Sequence, residues 1–275
     1  MPLLDLVSTL TRCIADWARG RGGPGLVVGV SGPQGSGKST LAAGLERALG
    51  REGLQAVVLS LDDLYLTRPE RLALAASVHP LFATRGPPGT HDVALGLSLL
   101  ERLGRPGAVT PPRFDKATDT RAPAGEIVTG PFDVILFEGW CLGAEPASAA
   151  ELRVPINALE REHDADGVWR GQVNAALAGR YQALWRGCER LILLRPTTFD
   201  VVLGWRLQQE RDLRARMRDE GREVAGTMSN AEVARFVEHF ERITRRMLAH
   251  PPDADIVVEL DPERRPTAKK LPLKG

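Results

Sequence analysis

A glycine-rich stretch close to the N-terminus has the residue types and the spacing needed to hold a polyphosphate. Residues 27–40 contain an apolar run, a glycine-rich turn and the start of a helix, with the pattern G-x-x-x-x-G-K-[ST] from Gly32 to Ser39. Glycines let backbone N–H groups surround phosphate oxygens at a helix N-terminus, whose dipole favours anions. A lysine there reaches the β- and γ-phosphates, and a serine hydroxyl ligates Mg²⁺. We therefore predict a nucleoside triphosphate site comprising Gly32, Pro33, Gln34, Gly35, Ser36, Gly37, Lys38, Ser39 and Thr40.

Carboxylates follow two further apolar runs. Asp62 and Asp63 come directly after residues 56–61, and Glu138 ends the run that begins at residue 133. A carboxylate beside the γ-phosphate can orient an attacking hydroxyl group and accept its proton. Glu138 is a candidate to hold Mg²⁺ together with Ser39, so that the metal neutralises charge on the phosphates. Each acid could instead be a solvent-exposed residue at the end of its strand. A nucleotide site one strand away favours a role in catalysis or metal binding.

Cationic side chains are concentrated in segments that lack clean periodicity. A small anionic acceptor would need one or two of them, because arginine and lysine pair with carboxylates, and the rest are expected to face solvent. The candidates are Arg85, His91, Arg113, Lys116 and Arg121. A second group lies on the helix predicted after the fourth strand, and we expect one or two of its members to close over the phosphates as a lid. That group consists of Arg206, Arg211, Arg214, Arg216 and Arg218.

The elements that must position these groups alternate between short apolar runs and helices. This alternation predicts an α/β fold with a parallel five-stranded sheet and helices on both faces. The five strands are expected at about residues 27–30, 56–61, 133–139, 190–195 and 255–260. Ligands bind beyond the carboxyl ends of such strands, so the phosphate loop, Asp62 and Glu138 should share one rim. A helix is expected over residues 3–20 and another over 173–185, and residues 262–275 are expected to form a loose tail.

The composition excludes several classes of protein. Over 275 residues, 36 Lys and Arg balance 35 Asp and Glu, so no overall field recruits nucleic acid or anionic lipid. Three widely spaced cysteines indicate a reducing compartment rather than a disulfide framework. No run is long and apolar enough to span a membrane, so we predict a cytoplasmic protein with neither nucleic acid nor membrane as partner. The oligomeric state is not predicted.

Several blocks taken in order resemble a known family. The phosphate loop with Leu61-Asp62-Asp63-Leu64-Tyr65 is similar to the phosphoribulokinase/uridine kinase/pantothenate kinase group of P-loop kinases. The full series resembles the plant-type D-glycerate 3-kinases and their microbial relatives over roughly residues 25–265. Besides those two blocks, the series comprises Arg85-Gly86 with Gly89-Thr90-His91-Asp92, Pro112-Arg113-Phe114-Asp115-Lys116, Phe137-Glu138-Gly139-Trp140 and Trp205-Arg206-Leu207-Gln208.

This resemblance implies a P-loop NTPase fold, ATP and Mg²⁺ as cofactors, and phosphorylation of D-glycerate at its 3-hydroxyl group. It makes Asp62 the candidate base, Lys38 and Glu138 catalytic, and Arg206 a nucleotide ligand. It also implies a single kinase domain over residues 1–275, with substrate-covering insertions at about 68–130 and 140–171 and a lid at about 201–228. The substrate-binding residues it implies are Asp63, Tyr65, Arg85, His91, Lys116 and Arg121.

Other functions remain open at this point. Uridine or pantothenate could be the acceptor, although seven Phe and two Tyr offer little stacking surface for a nucleoside. A regulatory NTP-binding protein of the GTPase type is a further alternative. Against it, the sequence has no Asn-Lys-x-Asp segment for reading guanine, and its second strand ends in a candidate catalytic acid.

Overall fold

The computed structural model describes residues 3–116, 118–122, 125–219 and 227–270. Its strands are β1 (Leu26–Ser31), β2 (Ala56–Ser60), β3 (Gly107–Val109), β4 (Phe114–Asp115), β5 (Thr120–Arg121), β6 (Val128–Gly130), β7 (Val134–Gly139), β8 (Arg190–Pro196), β9 (Ile256–Leu260) and β10 (Pro266–Lys270). Its helices are α1 (Leu3–Arg21), α2 (Lys38–Arg51), α3 (Arg68–Ser77), α4 (Val93–Leu103), α5 (Ala149–Leu152), α6 (Ala158–His163), α7 (Val168–Ala176), α8 (Gln182–Arg186), α9 (Asp200–Asp219) and α10 (Asn230–Ala249).

Within the described residues, a six-stranded sheet has the strand order β10-β9-β8-β1-β7-β2. The five strands from β9 to β2 are parallel, which confirms the predicted α/β fold with a parallel sheet. β10 pairs with β9 in the antiparallel direction. The expectation of a loose tail after residue 262 is therefore wrong for Pro266–Lys270. This edge strand is polar, so its sequence lacks the apolar pattern that marked the buried strands.

Two apolar cores lie on opposite faces of the sheet. Because side chains alternate along a strand, neighbouring residues of β1 contribute to different cores. Val28 and Val30 pack against α1 and α2, where Ile14 and Leu45 are fully buried. Val27 belongs to the other core, which contains buried residues of α4, α7, α8 and α10. Burial on both faces holds the carboxyl ends of the central strands in fixed positions.

The segments predicted as insertions contain their own short elements. Within residues 68–130, α3 and α4 accompany two small antiparallel pairs, β3 with β6 and β4 with β5. Within 140–171, α5 begins at a capping box formed by Ser148 and Glu151. The helix expected over 173–185 is divided into α7, a wider turn at Leu177–Tyr181 and α8, with non-helical backbone angles at Gly179.

The segment expected as a lid, residues 201–228, contains nearly all of α9, which follows β8 and packs beside α10. Residues 220–226 of that lid, and residues 271–275 of the tail, lie outside the described residues. Among the residues that are described, no helix combines the length and the apolarity needed to cross a lipid bilayer.

Candidate active site

The glycine-rich turn after β1 leads into α2 in the predicted conformation. Gly35 and Gly37 have φ angles of 77° and 89°, a backbone region that glycine adopts far more readily than other residues. Gly35 also lies against α9, since a Cβ atom added to it would be 2.6 Å from the Cβ of Trp205. The turn therefore needs glycine at residue 35 both for its conformation and for the close approach of α9.

Polar groups in this turn point to an anionic ligand. The Lys38 ammonium donates to the carbonyl oxygen of Pro33 at 3.0 Å, and removal of water around it lowers its pKa. The buried hydroxyl group of Ser36, which can donate a hydrogen bond to a phosphate oxygen, has no partner in the described part of the chain. Buried polar groups are normally paired, so its lack of a partner here fits a site whose ligand accepts that hydrogen bond. The residues present therefore fit a triphosphate.

Glu138 lies at the end of β7 beside the start of α2. Its side chain is 6% exposed, and Oε1 accepts hydrogen bonds from Ser39 Oγ at 3.0 Å and Ser60 Oγ at 2.7 Å. A carboxylate and a hydroxyl group in contact are the hard oxygen donors that Mg²⁺ prefers. Ser39 and Glu138 therefore fit a Mg²⁺ site.

Asp62 lies in one turn of 3₁₀ helix, Leu61–Leu64, directly after β2. Its Oδ1 accepts from the Tyr65 hydroxyl at 2.6 Å, and its Oδ2 accepts from Lys116 Nζ at 2.7 Å. Burial alone would raise the pKa of Asp62. The positive charge and hydrogen bond of Lys116 outweigh it, with smaller contributions from Tyr65 and Lys38, and the pKa falls to about 2. Asp62 is thus a carboxylate with both oxygens engaged.

Asp63 has different partners from its neighbour. Its Oδ1 accepts from the backbone N–H of Phe114 and its Oδ2 from Arg113 Nη1, both at 2.9 Å. These contacts join the turn after β2 to β4. Asp63 therefore holds the insertion that brings Lys116 to Asp62.

One cavity of about 390 Å³ joins the phosphate-binding turn to the insertion and to α9 and α10. Ten residues predicted for the site line it, namely Gln34, Gly35, Lys38, Ser39, Asp62, Tyr65, Arg85, Lys116, Glu138 and Arg206. Of the other predicted residues of the turn, Gly32 approaches β8, where an added Cβ atom would be 2.8 Å from the oxygen of Leu194. Pro33 lines a smaller neighbouring cavity, and Thr40 is exposed in the first turn of α2.

The remaining predicted ligands lie behind this cavity. Arg121 donates to the Tyr65 carbonyl oxygen at 3.0 Å and to Asp92 at 3.3 Å. His91 is buried, with Nδ1 2.6 Å from the Tyr181 hydroxyl and its ring 4.8 Å from that of Tyr65. Burial lowers the pKa of His91 to about 3, so its imidazole is neutral. With Asp63, these residues support the wall of the site, and their direct contact with a substrate stays a prediction.

Arg85 and Arg206 reach the cavity from opposite sides. Arg85 forms an ion pair with Asp119 and lies 5.6 Å from the ring centre of Phe114. Arg206 pairs with Glu210 at 2.8 Å along α9. Of the other arginines proposed for the lid, Arg211, Arg214 and Arg218 are not among the residues that line this cavity. The side chain of Arg216 lies outside the described residues.

One wall of the cavity was not predicted. It comprises Trp140, Gln209, Glu210, Asp212, Leu213, Phe236 and Phe240. Trp140 donates through Nε1 to the carbonyl oxygen of Gly86 at 3.1 Å, and its ring meets that of Phe240 edge-on at 5.0 Å. Trp140 directly follows the Glu138-Gly139 pair, which was the available sequence signal. The residues of α10 follow ordinary helical spacing, so nothing in their pattern distinguishes a cavity wall from core.

Comparisons with known proteins identify related kinases. No protein-family model matches the chain. The uncharacterized kinase mug58 of Schizosaccharomyces pombe is 34% identical over 228 residues, which cover 78% of each protein. The chloroplastic D-glycerate 3-kinase of Arabidopsis thaliana is 31% identical over 264 residues, or 88% of this chain. The match covers 54% of the plant protein, so the chain spans about half of that relative's length.

A solved structure is similar over nearly the whole chain. The D-glycerate 3-kinase of Cryptococcus neoformans aligns with a TM-score of 0.77 and 26% sequence identity. The alignment covers 96% of this chain and 98% of the fungal one. The similarity therefore includes the insertions and the helices that enclose the cavity, as well as the central sheet.

Proposed function

This chain belongs to the P-loop kinase family that includes the D-glycerate 3-kinases, and from that premise we propose that it phosphorylates D-glycerate at the 3-hydroxyl group. As a kinase it is an ATP-dependent phosphotransferase that acts on a hydroxyl group. The compound that carries this hydroxyl group is the part of the function that we propose. We also propose that residues 1–275 form one kinase domain with a core at about 25–265.

The observation that carries the proposal is that two cations line the same cavity as the phosphate-binding turn. Arg85 and Lys116 line the same cavity as Lys38 and Asp62. A hydroxy acid presents a carboxylate and a hydroxyl group a few bonds apart. Arg85 or Lys116 would bind the carboxylate, because charge-assisted hydrogen bonds are stronger than neutral ones. The hydroxyl group would then lie beside Asp62.

Each catalytic residue has a role in this proposal. Asp62 orients the hydroxyl group and accepts its proton as the acceptor oxygen forms a bond to the γ-phosphorus and ADP departs. Lys38 stabilises negative charge on the transferred phosphoryl group. Ser39 and Glu138 would hold Mg²⁺, which would supply further neutralisation of phosphate charge. Arg206 approaches the phosphates from α9.

A substrate panel tests this proposal. ADP release is measured with D-glycerate, other hydroxy acids, glycerol, pantothenate and uridine, and the phosphorylated product is identified by mass spectrometry and NMR. We expect D-glycerate to have the highest kcat/KM and to yield 3-phosphoglycerate. Lys38→Ala should lower turnover by orders of magnitude, because a preorganised charge at the reacting phosphate is lost. A preference for pantothenate or uridine would contradict the proposed acceptor, and near-normal activity of Lys38→Ala would contradict the assigned site.

A further inference from the structure

The carboxylate of Asp62 is occupied by protein groups on both oxygens. Tyr65 donates to one oxygen at 2.6 Å and Lys116 to the other at 2.7 Å. The pKa of Asp62 in this arrangement is about 2. A base with so low a pKa takes a proton poorly, because general-base efficiency falls as proton affinity falls. In this state Asp62 is therefore held in a weakly basic form.

The two partners of Asp62 differ in how firmly they are fixed. Tyr65 is 5% exposed, and its ring packs against His91 at 4.8 Å and edge-on against Phe114 at 5.0 Å. The side chain of Lys116 is 60% exposed and extends from the connection between β4 and β5. A lysine on a flexible aliphatic stem can change partners at little cost, whereas a packed aromatic ring cannot. Lys116 is thus the partner that a ligand can draw away from Asp62.

We propose that Lys116 is a latch on the catalytic base, and that an acceptor releases this latch by attracting the Lys116 ammonium with its own anionic group. This inference rests on the proposed function and adds a control step to the same site. The anion of the acceptor replaces Asp62 as the partner of Lys116, while Tyr65 keeps Asp62 in place. Asp62 then has one free oxygen and a higher proton affinity at the moment when the acceptor hydroxyl group arrives.

The latch gives two kinds of selectivity. Water in the cavity has no anion, so it meets Asp62 still paired with Lys116. Attack by water is thereby suppressed. In that reaction the water oxygen bonds to the γ-phosphorus, ADP leaves with the bridging oxygen, and Asp62 takes the proton. Neutral polyols such as glycerol are disfavoured for the same reason. Binding of the acceptor's anion to Lys116 and release of Asp62 therefore occur in the same step.

Removal of the Lys116 charge tests the latch. Lys116→Met should raise ATP hydrolysis in the absence of any acceptor by about tenfold, which is below the ~10²–10⁴-fold that full general-base assistance contributes. It should also lower the ratio of kcat/KM for D-glycerate to that for glycerol. Lys116→Arg keeps a cation beside Asp62 and should leave hydrolysis low. Combining Lys116→Met with Asp62→Asn should return hydrolysis to the wild-type rate, because the released base is then absent.

A matched control comes from the same insertion. Arg105 forms an ion pair with Glu101 at 2.7 Å, is as exposed as Lys116 and is not among the residues lining the cavity. Arg105→Met should therefore change neither hydrolysis nor the ratio. If Lys116→Met hydrolyses ATP at the wild-type rate while the KM for D-glycerate rises, Lys116 is an acceptor ligand only and the latch is wrong. The hydrolysis measurement needs no acceptor, so it decides on the latch even if D-glycerate proves not to be the substrate.

Discussion

Two adjacent aspartates, Asp62 and Asp63, have different surroundings. Asp62 faces the cavity and contacts Lys116 and Tyr65, whereas Asp63 binds the backbone of Phe114 and the side chain of Arg113. Both carboxylates lie in the same short turn after β2, and both depend on the insertion for their partners. Only Asp62 lines the cavity that the phosphate-binding turn shares. Their replacements should therefore affect different properties.

We expect Asp62→Asn to lower kcat by about 10²–10⁴-fold, because asparagine keeps the size and much of the hydrogen bonding but cannot accept a proton. ATP affinity should stay within a few-fold, since the phosphate-binding turn is unchanged. Asp63→Asn should reduce kcat less and lower the thermal midpoint more, because it weakens the attachment of β4. Steady-state kinetics and thermal unfolding of the two variants check this. A larger loss of kcat in Asp63→Asn would mean that the base has been assigned to the wrong carboxylate.

At the scale of elements, the site depends on α9 lying directly on the phosphate-binding turn. Trp205 of α9 contacts Gly35 and donates through Nε1 to the carbonyl oxygen of Pro262 at 2.6 Å. The same helix carries Arg206 into the cavity. The position of Arg206 relative to the phosphate-binding turn is thus set by how closely α9 can approach Gly35.

Much of this arrangement could be predicted from sequence, because it follows from regular elements. The pattern from Gly32 to Ser39 fixed the strand, turn and helix, and parallel strands necessarily bring Asp62 and Glu138 to the same rim. The directions of side chains in irregular segments could not be predicted in this way. Arg121 and Lys116 both lie around one short hairpin, yet Arg121 points to Asp92 and Lys116 to Asp62.

Contacts between distant parts of the chain also could not be predicted from the sequence. Phe236 and Phe240 reach the cavity because α10 packs against residues far earlier in the chain, such as Trp140 and Gly86. Helical periodicity identifies an apolar face but not the surface that it covers. The edge strand β10 was missed for a related reason, since backbone pairing with β9 stabilises it without an apolar pattern.

Gly35→Ala tests the contact between α9 and the phosphate-binding turn. The added Cβ atom would lie 2.6 Å from that of Trp205, so α9 must move away, and the KM for ATP should rise several-fold. Gly53→Ala is the matched control, because Gly53 also has a positive φ of 78° but has nothing within 4 Å of an added Cβ atom. Both variants should lose about 1 kcal/mol of stability from backbone strain, and Gly35→Ala should lose more. Equal KM values for ATP in the two variants would contradict the proposed role of this contact.

At the scale of the whole molecule, two buried histidines belong to the helices and insertion around the cavity. His91 lies behind Tyr65, and His239 lies on α10, with Nδ1 3.1 Å from the carbonyl oxygen of Arg235 and its ring 5.7 Å from that of Trp169. Burial lowers the pKa of His91 to about 3 and that of His239 to about 4, from an ordinary value of 6.5. Both imidazoles are therefore neutral in the folded protein near neutral pH.

This arrangement makes stability depend on pH in a defined window. Between pH 6.5 and about pH 4, the unfolded chain binds a proton at each histidine while the folded protein does not, so the free energy of unfolding decreases as pH falls. The loss between pH 7.5 and pH 5 should be about 2 kcal/mol for each histidine. The lowered pKa of Asp62 does not contribute here, because a carboxylate of this kind loses its stabilising effect only below its unfolded value of 3.8.

Denaturant unfolding of the wild type and of His91→Gln and His239→Gln at several pH values between 5 and 7.5 measures this effect. Each replacement removes one titrating group, so the free energy of unfolding should vary less steeply with pH, whatever its absolute value. His250→Gln is the comparison variant, because it makes the same replacement at a histidine that is exposed at the end of α10. If all three variants keep the wild-type slope, His91 and His239 take up protons in the folded protein, which would contradict this prediction. If only His91→Gln reduces the slope, His239 on α10 takes up a proton in the folded protein, whereas His91 behind Tyr65 stays neutral.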